Sequence, residues 1–336
     1  MRGEIMDEEF GALKEAVMQH YGIRAGQCRL LRRTARTIVF SVRTESGQYV
    51  LKSINCSRQR LQFILEAEQY LRERKIAIPA VIPARSGSGW MEWEGNAYVL
   101  QQKIDGKPYP PDNDEAMAIR ASLLGSMHAA SLGFVSTIGG DRPRMADWVE
   151  QNKRKMADMQ SWKAFYAESR SEKKRVILRA FDTFQELAEQ THALLLQNDE
   201  YAACRNLPAD RHFLSHGDFH SLNVLKEDGQ LYIIDWEFVS HDYPSRDMNR
   251  LLNSVLNRRK GWKPQWMETI LDHYLKQNRL KEEQVRLMVL DMAFPHMFER
   301  CLTRGWYRSM SVPQLEAFLE MEKAKLDTMI RLYRDI

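Results

Sequence analysis

The chain has 336 residues, of which 44% are hydrophobic and 28% charged, and its 49 basic and 45 acidic side chains leave a net charge of +4. That length suggests two domains, or one large domain built as two lobes, able to bury a core without disulfides or structural metal. So small a basic excess gives no reason to expect a nucleic-acid or membrane-surface protein. The lack of any collagen-like period, Pro/Gly tract or long single-sign block excludes fibrous and disordered classes.

The opening MRGEIMDEEFGAL carries acids where a secretory leader needs an apolar run. Residues 8–21 have helical apolar spacing, stopped by Gly22 and Gly26. Alternating apolar and polar side chains predict a β-hairpin, 38–44 and 49–54, around Glu45-Ser46-Gly47. A helix is expected over 58–74, with Leu61, Ile64, Leu65 and Leu71 on its buried side and Ile78-Pro79 beyond its end. Short strands fit 80–83 and 97–102. The first hundred residues thus read as a mostly antiparallel sheet carrying one long helix.

After Ile104-Asp105-Gly106 helical periodicity takes over, at 114–132, 145–165, 174–198, 266–278, 282–303 and 312–334. One β-rich island, 214–239, interrupts it, with strands expected at 223–225 and 231–234 around Glu227-Asp228-Gly229. The expected division is therefore an N-terminal lobe, 1–103, and a helical lobe, 104–336. Cys28, Cys56, Cys204 and Cys301 form no CxxC pair and have no neighbouring histidine at metal spacing. They read as small apolar residues of a reduced, intracellular-type protein. The longest stretch free of charged residues, 121–140, is too polar to span a bilayer.

The island contains HGDFHSLNVL and, shortly after, YIIDWE. Asp218 and Asn223 lie five apart on a loop entering one strand, and Asp235 ends the next. A hairpin this short brings Asn223 and Asp235 toward one point, with Asp218 nearby. A carboxylate and an amide carbonyl, completed by phosphate and water, suit Mg²⁺. Asp218, off the metal, would accept the proton of an attacking hydroxyl.

An HGDxxxxN loop followed a dozen residues later by an apolar-apolar-Asp strand end resembles the aminoglycoside phosphotransferase and choline kinase superfamily, relatives of the protein kinases. The resemblance implies an α+β, protein-kinase-like two-lobed fold with a small antiparallel lobe and a larger helical one. It also implies MgATP bound between the lobes, with ATP and Mg²⁺ as cofactors. Catalysis would fall to Asp218 as base, with Asn223 and Asp235 as metal ligands. Lys52, in YVLKSI, stands where such enzymes keep a phosphate-clamping lysine paired with a helix glutamate. Glu66 and Glu68 sit on opposing faces of one helix, so only one can meet Lys52; Glu66 fits the register slightly better, with Glu68 the alternative. In YVLQQKIDG, backbone groups of Gln101, Gln102 and Lys103 would hold adenine.

Two departures stand out. The phosphate-covering loop, RRTARTIVF, has no glycine, which leaves Arg33, Thr34, Arg36 and Thr37 to contact phosphate by side chain; Ser221-Leu222 replaces the Pro-Gly of many relatives. His216 and His220 read as residues that fix the catalytic loop, His128 as a satisfied core histidine, and Asp247 as a helix cap or loop anchor. Trp262, Trp266, Trp306 and Tyr307 read as core, and Arg258-Arg259-Lys260 as a solvated face.

Nearly the whole chain, from about Gln27 to Arg334, further resembles the CotS type of spore-coat-associated kinase-like proteins of endospore formers, through SGQYVLKSI, YVLQQKIDGKPY and SMHAASLGF. The expectation is an ATP- and Mg²⁺-dependent phosphotransferase acting on a hydroxyl acceptor, with a small molecule ahead of a protein. It would be cytoplasmic, with deposition in the spore coat among other coat proteins, and would have neither nucleic-acid nor membrane partners. The rival expectation is a non-catalytic, kinase-shaped coat component.

Overall fold

A computed structural model of the chain describes residues 2–34, 37–138 and 145–336. They form two compact units. One comprises Met1–Tyr109, Val135–Asp141 and Leu222–Val239; the other comprises Pro110–Phe134, Arg142–Ser221 and Ser240–Ile336.

The first unit is built on a five-stranded antiparallel sheet in the spatial order Gln27–Arg33, Ile38–Thr44, Gly47–Ser53, Asn96–Gln102 and Met91–Trp93. The strands Ile38–Thr44 and Gly47–Ser53 pair in the register Val39↔Lys52 and Phe40↔Leu51. Alternation sends Phe40, Val42, Leu51 and Leu100 to one face, where Leu13, Val17 and Tyr21 of the helix Arg2–Tyr21 cover them. On the other face Ala97 and Val99 pack against Leu61 and Leu65 of the helix Arg58–Glu73. Lys52, next to Leu51 and opposite Val99, belongs to this second face. Ser57 caps the helix, its side chain accepting from the Arg60 N–H at 3.1 Å.

Several elements differ from expectation, the short strand Met91–Trp93 being one addition. The stretch 80–83 makes only a single bridge, Val81↔Gln101, since Pro79 and Pro83 remove backbone donors on either side. The strand Gln27–Arg33 is an addition; its QCRLLRR text is mostly exposed and carries little alternation.

The hairpin Val224–Glu227 and Gln230–Ile233 also belongs to this unit, whereas the sequence placed it with the helices. Main-chain bonds explain the difference. Lys107 pairs with Lys226 across a small sheet, and the Ile233 N–H donates to the Ala77 carbonyl at 2.9 Å. The Arg60 guanidinium donates to the carbonyls of Glu237 and Val239. The first break in the chain accordingly falls after Tyr109 rather than at 103.

In the second unit the helix Asp114–Ser131 packs along Pro264–Gln277. Their closest approach needs a glycine, because a Cβ on Gly125 would lie 2.5 Å from the Tyr274 carbonyl oxygen. The helices Trp148–Tyr166, Glu172–Leu196, Glu282–Ala293, His296–Thr303 and Val312–Asp335 enclose a core of Trp162, Phe181, Phe184, Phe298 and Tyr307. Phe184 stacks on Phe298 with centroids 4.1 Å apart. The single helix expected over 282–303 is two, because Pro295 lacks the N–H a continuing turn requires. Trp266 and Tyr307 are buried, and Arg258 and Arg259 ion-pair with Asp112 and Asp114. All four cysteines are free, Cys204 and Cys301 buried and the other two half-buried. Among the described residues no helix is long and apolar enough to cross a membrane.

Candidate active site

In the first unit Lys52 reaches from its sheet to the end of the hairpin. Its Nζ lies 2.5 Å from Asp235 Oδ1 and 2.5 Å from Glu237 Oε1. Burial opposes the charge on Lys52, but the two carboxylates outweigh it and hold the pKa above the ordinary lysine value. Lys52 is therefore an ammonium at any physiological pH. Asp235 sits in the left-handed region (φ +68°), a conformation costly for a residue with a Cβ and found where function over-determines the backbone. Trp236 locks the turn, its indole N–H donating to the Ile233 carbonyl at 3.0 Å. Asn223 is buried at the same open end of the hairpin, where its carbonyl accepts from the Ile234 N–H at 3.0 Å. The structure thus brings Lys52 and Asp235 together and keeps Asn223 on the hairpin that carries Asp235. Glu237 was missed, although it lies two residues beyond the aspartate in the quoted YIIDWE.

The expected pairing of Lys52 with Glu66 is not made. Glu66 accepts from Gln62, from the Ser136 hydroxyl at 2.5 Å and from the Thr137 N–H at 3.0 Å, and these bonds, working against its partial burial, hold its pKa low. Glu68 is the glutamate on the lysine's side. It is only 4% exposed and takes bonds from Arg72 at 3.4 Å and Gln101 at 3.1 Å. Burial pushes its pKa up to about 7, against the opposing pull of Arg72 and, more weakly, of Lys52.

The adenine-binding segment also differs in detail. The N–H of Gln102 donates to the Ala80 carbonyl at 2.8 Å and that of Lys103 to the Gln48 carbonyl at 3.1 Å. Gln101 directs its side chain to Glu68, and the Lys103 ammonium bonds Gln48 and Asp105. Two of the expected adenine donors are therefore already engaged by the sheet and its neighbours. In the glycine-free loop, the Thr34 N–H donates to the Thr37 carbonyl at 2.9 Å and the Thr37 N–H to the Thr34 hydroxyl at 3.0 Å. Arg36 lies outside the described residues.

Asp218 belongs to the second unit. His220 Nε2 lies 3.3 Å from one carboxylate oxygen and Arg250 3.7 Å from the other. Partial burial works against ionisation, but His220, Arg250 and His216 prevail and the pKa falls below the ordinary aspartate value. The group is an ionised acceptor at neutral pH. The loop beneath it is held from inside: Asp247 accepts the N–H of His216 at 2.6 Å and of Gly217 at 2.8 Å. Gly217 has φ +79°, which only glycine adopts freely. His128, fully buried, lies 3.2 Å from Asp247 Oδ2, the oxygen that also takes the His216 N–H, and 2.9 Å from the Tyr274 hydroxyl. Arg120, also fully buried, donates to the His220 carbonyl at 3.0 Å and lies 4.8 Å over the Phe219 ring. Asp247 and His128 have the anchoring and core roles their positions suggested. Arg120 was not anticipated, since an arginine within a helix ordinarily reads as solvated.

A half-buried sheet lysine set against the acid of a β-hairpin, and a helical unit presenting an ionised aspartate on an HGD loop, define the frame of a kinase-like phosphotransferase. The chain belongs to the phosphotransferase enzyme family, whose pattern matches residues 28–286. Spore coat protein S of Bacillus subtilis (strain 168) is 26% identical over 263 residues, which cover 77% of this chain and 74% of that protein. The fold matches the crystal structure of an aminoglycoside phosphotransferase from Alicyclobacillus acidocaldarius with a TM-score of 0.77, at 16% identity and 96% coverage of both chains. It matches an amicoumacin kinase in complex with AMP-PNP and Ca²⁺ with a TM-score of 0.61, at 18% identity, over all of this chain and 96% of that one. The kinase-like fold class, with one antiparallel sheet unit and one helical unit, is thereby shown.

Proposed function

We propose that the protein transfers the γ-phosphoryl group of ATP, with Mg²⁺, to a hydroxyl of a small acceptor. The observation that carries this reading is the contact of Lys52 with Asp235, which joins the sheet lysine to the hairpin acid at 2.5 Å. Lys52, kept charged by Asp235 and Glu237, would hold nucleotide phosphates. The nucleotide complex of the amicoumacin kinase supports a nucleotide here as well. Asp235 and Asn223 offer oxygen donors only, which suits Mg²⁺ completed by phosphate and water. The bound ion neutralises charge on the β- and γ-phosphates.

Asp218 would take the proton of the acceptor hydroxyl as the O–P bond forms. Its lowered pKa keeps it ionised well below neutrality, so activity should be lost only as pH falls through or below the ordinary carboxylate range. His220 and Arg250 hold the carboxylate in place, and Asp247 and His128 keep its loop rigid. Catalysis of this kind rests on positioning and charge rather than covalent chemistry.

The test is a calorimetric titration with ATP, with and without Mg²⁺, beside Asp235→Ala. Saturable Mg²⁺-dependent binding that vanishes in the variant is the expected result, and no binding at millimolar ATP overturns the enzyme reading. In that case a non-catalytic coat component becomes the better account. It is the reading favoured by the engaged N–H groups of Gln102 and Lys103 and by the name of the Bacillus relative. Coat association is proposed on either reading, and fractionation of spores with an antibody to this chain tests it.

A further inference from the structure

Beside Asp218, wholly within the second unit, lies a cavity of about 310 Å³, a size that suits a small metabolite. Two helices supply most of its wall. Residues 148, 151, 152 and 155 of Trp148–Tyr166 and residues 246, 249, 250 and 253 of Ser245–Arg259 line it, each set at the spacing of a single helix face. Arg250 belongs both to this wall and to Asp218, from which it lies 3.7 Å.

The lining is strongly one-sided in charge. Lys155, Arg246, Arg250, Arg300 and Lys325 face only two carboxylates, Asp242 and Asp291. Asp242 lies 3.2 Å from Arg246, Glu322 takes Lys325 at 2.8 Å, and Asp218 takes Arg250. Asp291 is occupied by His296, 3.3 Å away. Burial, together with the charge of Lys155, pushes the His296 pKa down to about 4, so it adds no positive charge at neutral pH. Lys155 donates to the ring of this neutral histidine at 3.1 Å. Among the described residues no carboxylate lies within ion-pair distance of Lys155 or Arg300. Both have lowered pKa values, through burial first; Asp291 and Glu299 oppose the shift at Lys155, and at Arg300 the charge of Arg250 adds to it while Glu299 opposes it. A half-buried cation without an ion-paired carboxylate is retained at a cost that a bound anion would relieve.

A second observation points the same way. Asn152, on this wall and only 3% exposed, has an Oδ1 atom that accepts no hydrogen bond from the described residues. A buried carbonyl oxygen without a partner calls for a donor, such as a ligand hydroxyl.

We infer that this cavity is the acceptor site and that the acceptor is an acid: a small hydroxyl compound that also carries a carboxylate or phosphate. Arg300, Lys155 and Arg246 would hold the anion and Asn152 would accept from a hydroxyl. Another hydroxyl would then lie toward Asp218 past Arg250. Guanidinium groups suit carboxylate and phosphate oxygens in particular. A polycationic acceptor would be repelled. The inference rests on the phosphotransferase reading for the word acceptor, while the anion site itself does not depend on turnover.

Four compounds on one three-carbon skeleton and differing in charge test it: glycerol, D-glycerate, sn-glycerol 3-phosphate and 3-amino-1,2-propanediol. Binding to the full chain is measured by calorimetry, then phosphoryl transfer from MgATP. The expected result is that one or both anions bind about tenfold or more tighter than glycerol and the amine. The preferred anion tells carboxylate from phosphate recognition. Arg300→Gln should abolish the preference and Arg300→Lys should retain much of it, with both variants checked for an unchanged melting temperature. Equal binding of all four, preference for the amine, no binding of either anion, or a preference that survives Arg300→Gln overturns the inference. Anion preference without any transfer leaves the anion site standing and counts against the phosphotransferase reading.

Discussion

The two charged clusters of this protein are built on opposite principles. Around Lys52 the ion pairs are partly open to solvent, with Asp235 36% and Glu237 25% exposed, and the partners satisfy one another. Around Asp247 everything is buried, and the carboxylate serves two backbone N–H groups and one histidine, with a tyrosine beyond it. On the proposed function, the first arrangement would exchange partners as a phosphate and a cation bind. The second cannot exchange anything without breaking the loop that carries Asp218. The contrast separates charge that must be redistributed during a reaction from charge that must not move.

Breaking the buried cluster should be the most damaging change. Asp247→Ala leaves two loop N–H groups and His128 without their acceptor, and is expected to cost about 4 kcal/mol of stability in urea unfolding. The lowered pKa of Asp247, held down by His128 and the loop N–H groups against its burial, gives stability above the ordinary carboxylate pKa that is lost as pH falls through the folded value. Asp247→Asn should therefore flatten the acid limb of the stability profile. Asp218→Asn should reduce turnover about 10³-fold with nucleotide affinity nearly unchanged, read from steady-state kinetics beside ATP calorimetry.

Lys52→Met sharpens the comparison from the other side. It should weaken ATP binding about 30-fold while costing little stability, because Asp235 and Glu237 can rehydrate where Asp247 cannot. The smallest effect is expected at Glu68. Its folded pKa of about 7 exceeds the ordinary 4.5, so the folded chain holds the extra proton between these values and stability due to this group falls as pH rises through that window. Glu68→Gln should thus gain on the wild type at pH 8 relative to pH 5, by on the order of 1 kcal/mol.

Where local rules dominate, the sequence was easily read. The hairpin around Glu45-Ser46-Gly47, the helix after Ser57 and the HGDFHSLNVL loop all follow from alternation, capping or a dense motif. The choice between Glu66 and Glu68 was legible too, in retrospect: Leu61, Ile64, Leu65 and Leu71 form a stripe at helical spacing, and position 68 lies within it while 66 does not. The assignment of 222–239 to the sheet unit was not legible. It depends on main-chain bonds to Ala77 and Lys107, and backbone groups carry no sequence signature. Nor was the basic wall, since its cations come from four helices separated by up to 170 residues of chain, Lys155 to Lys325. Net charge near zero concealed a local excess.

The helix Ser245–Arg259 has two sides with different freedoms. Asp247 points to the loop of Asp218 and is intolerant of replacement, while Arg246, Asn249, Arg250 and Asn253 face the cavity. Changes at 246, 249 and 253 alter what the cavity admits without touching a bond that shapes the loop. On the proposed reading, divergence in acceptor choice would accumulate residue by residue along one helix face while the bonds of Asp247 to the Asp218 loop stay in place.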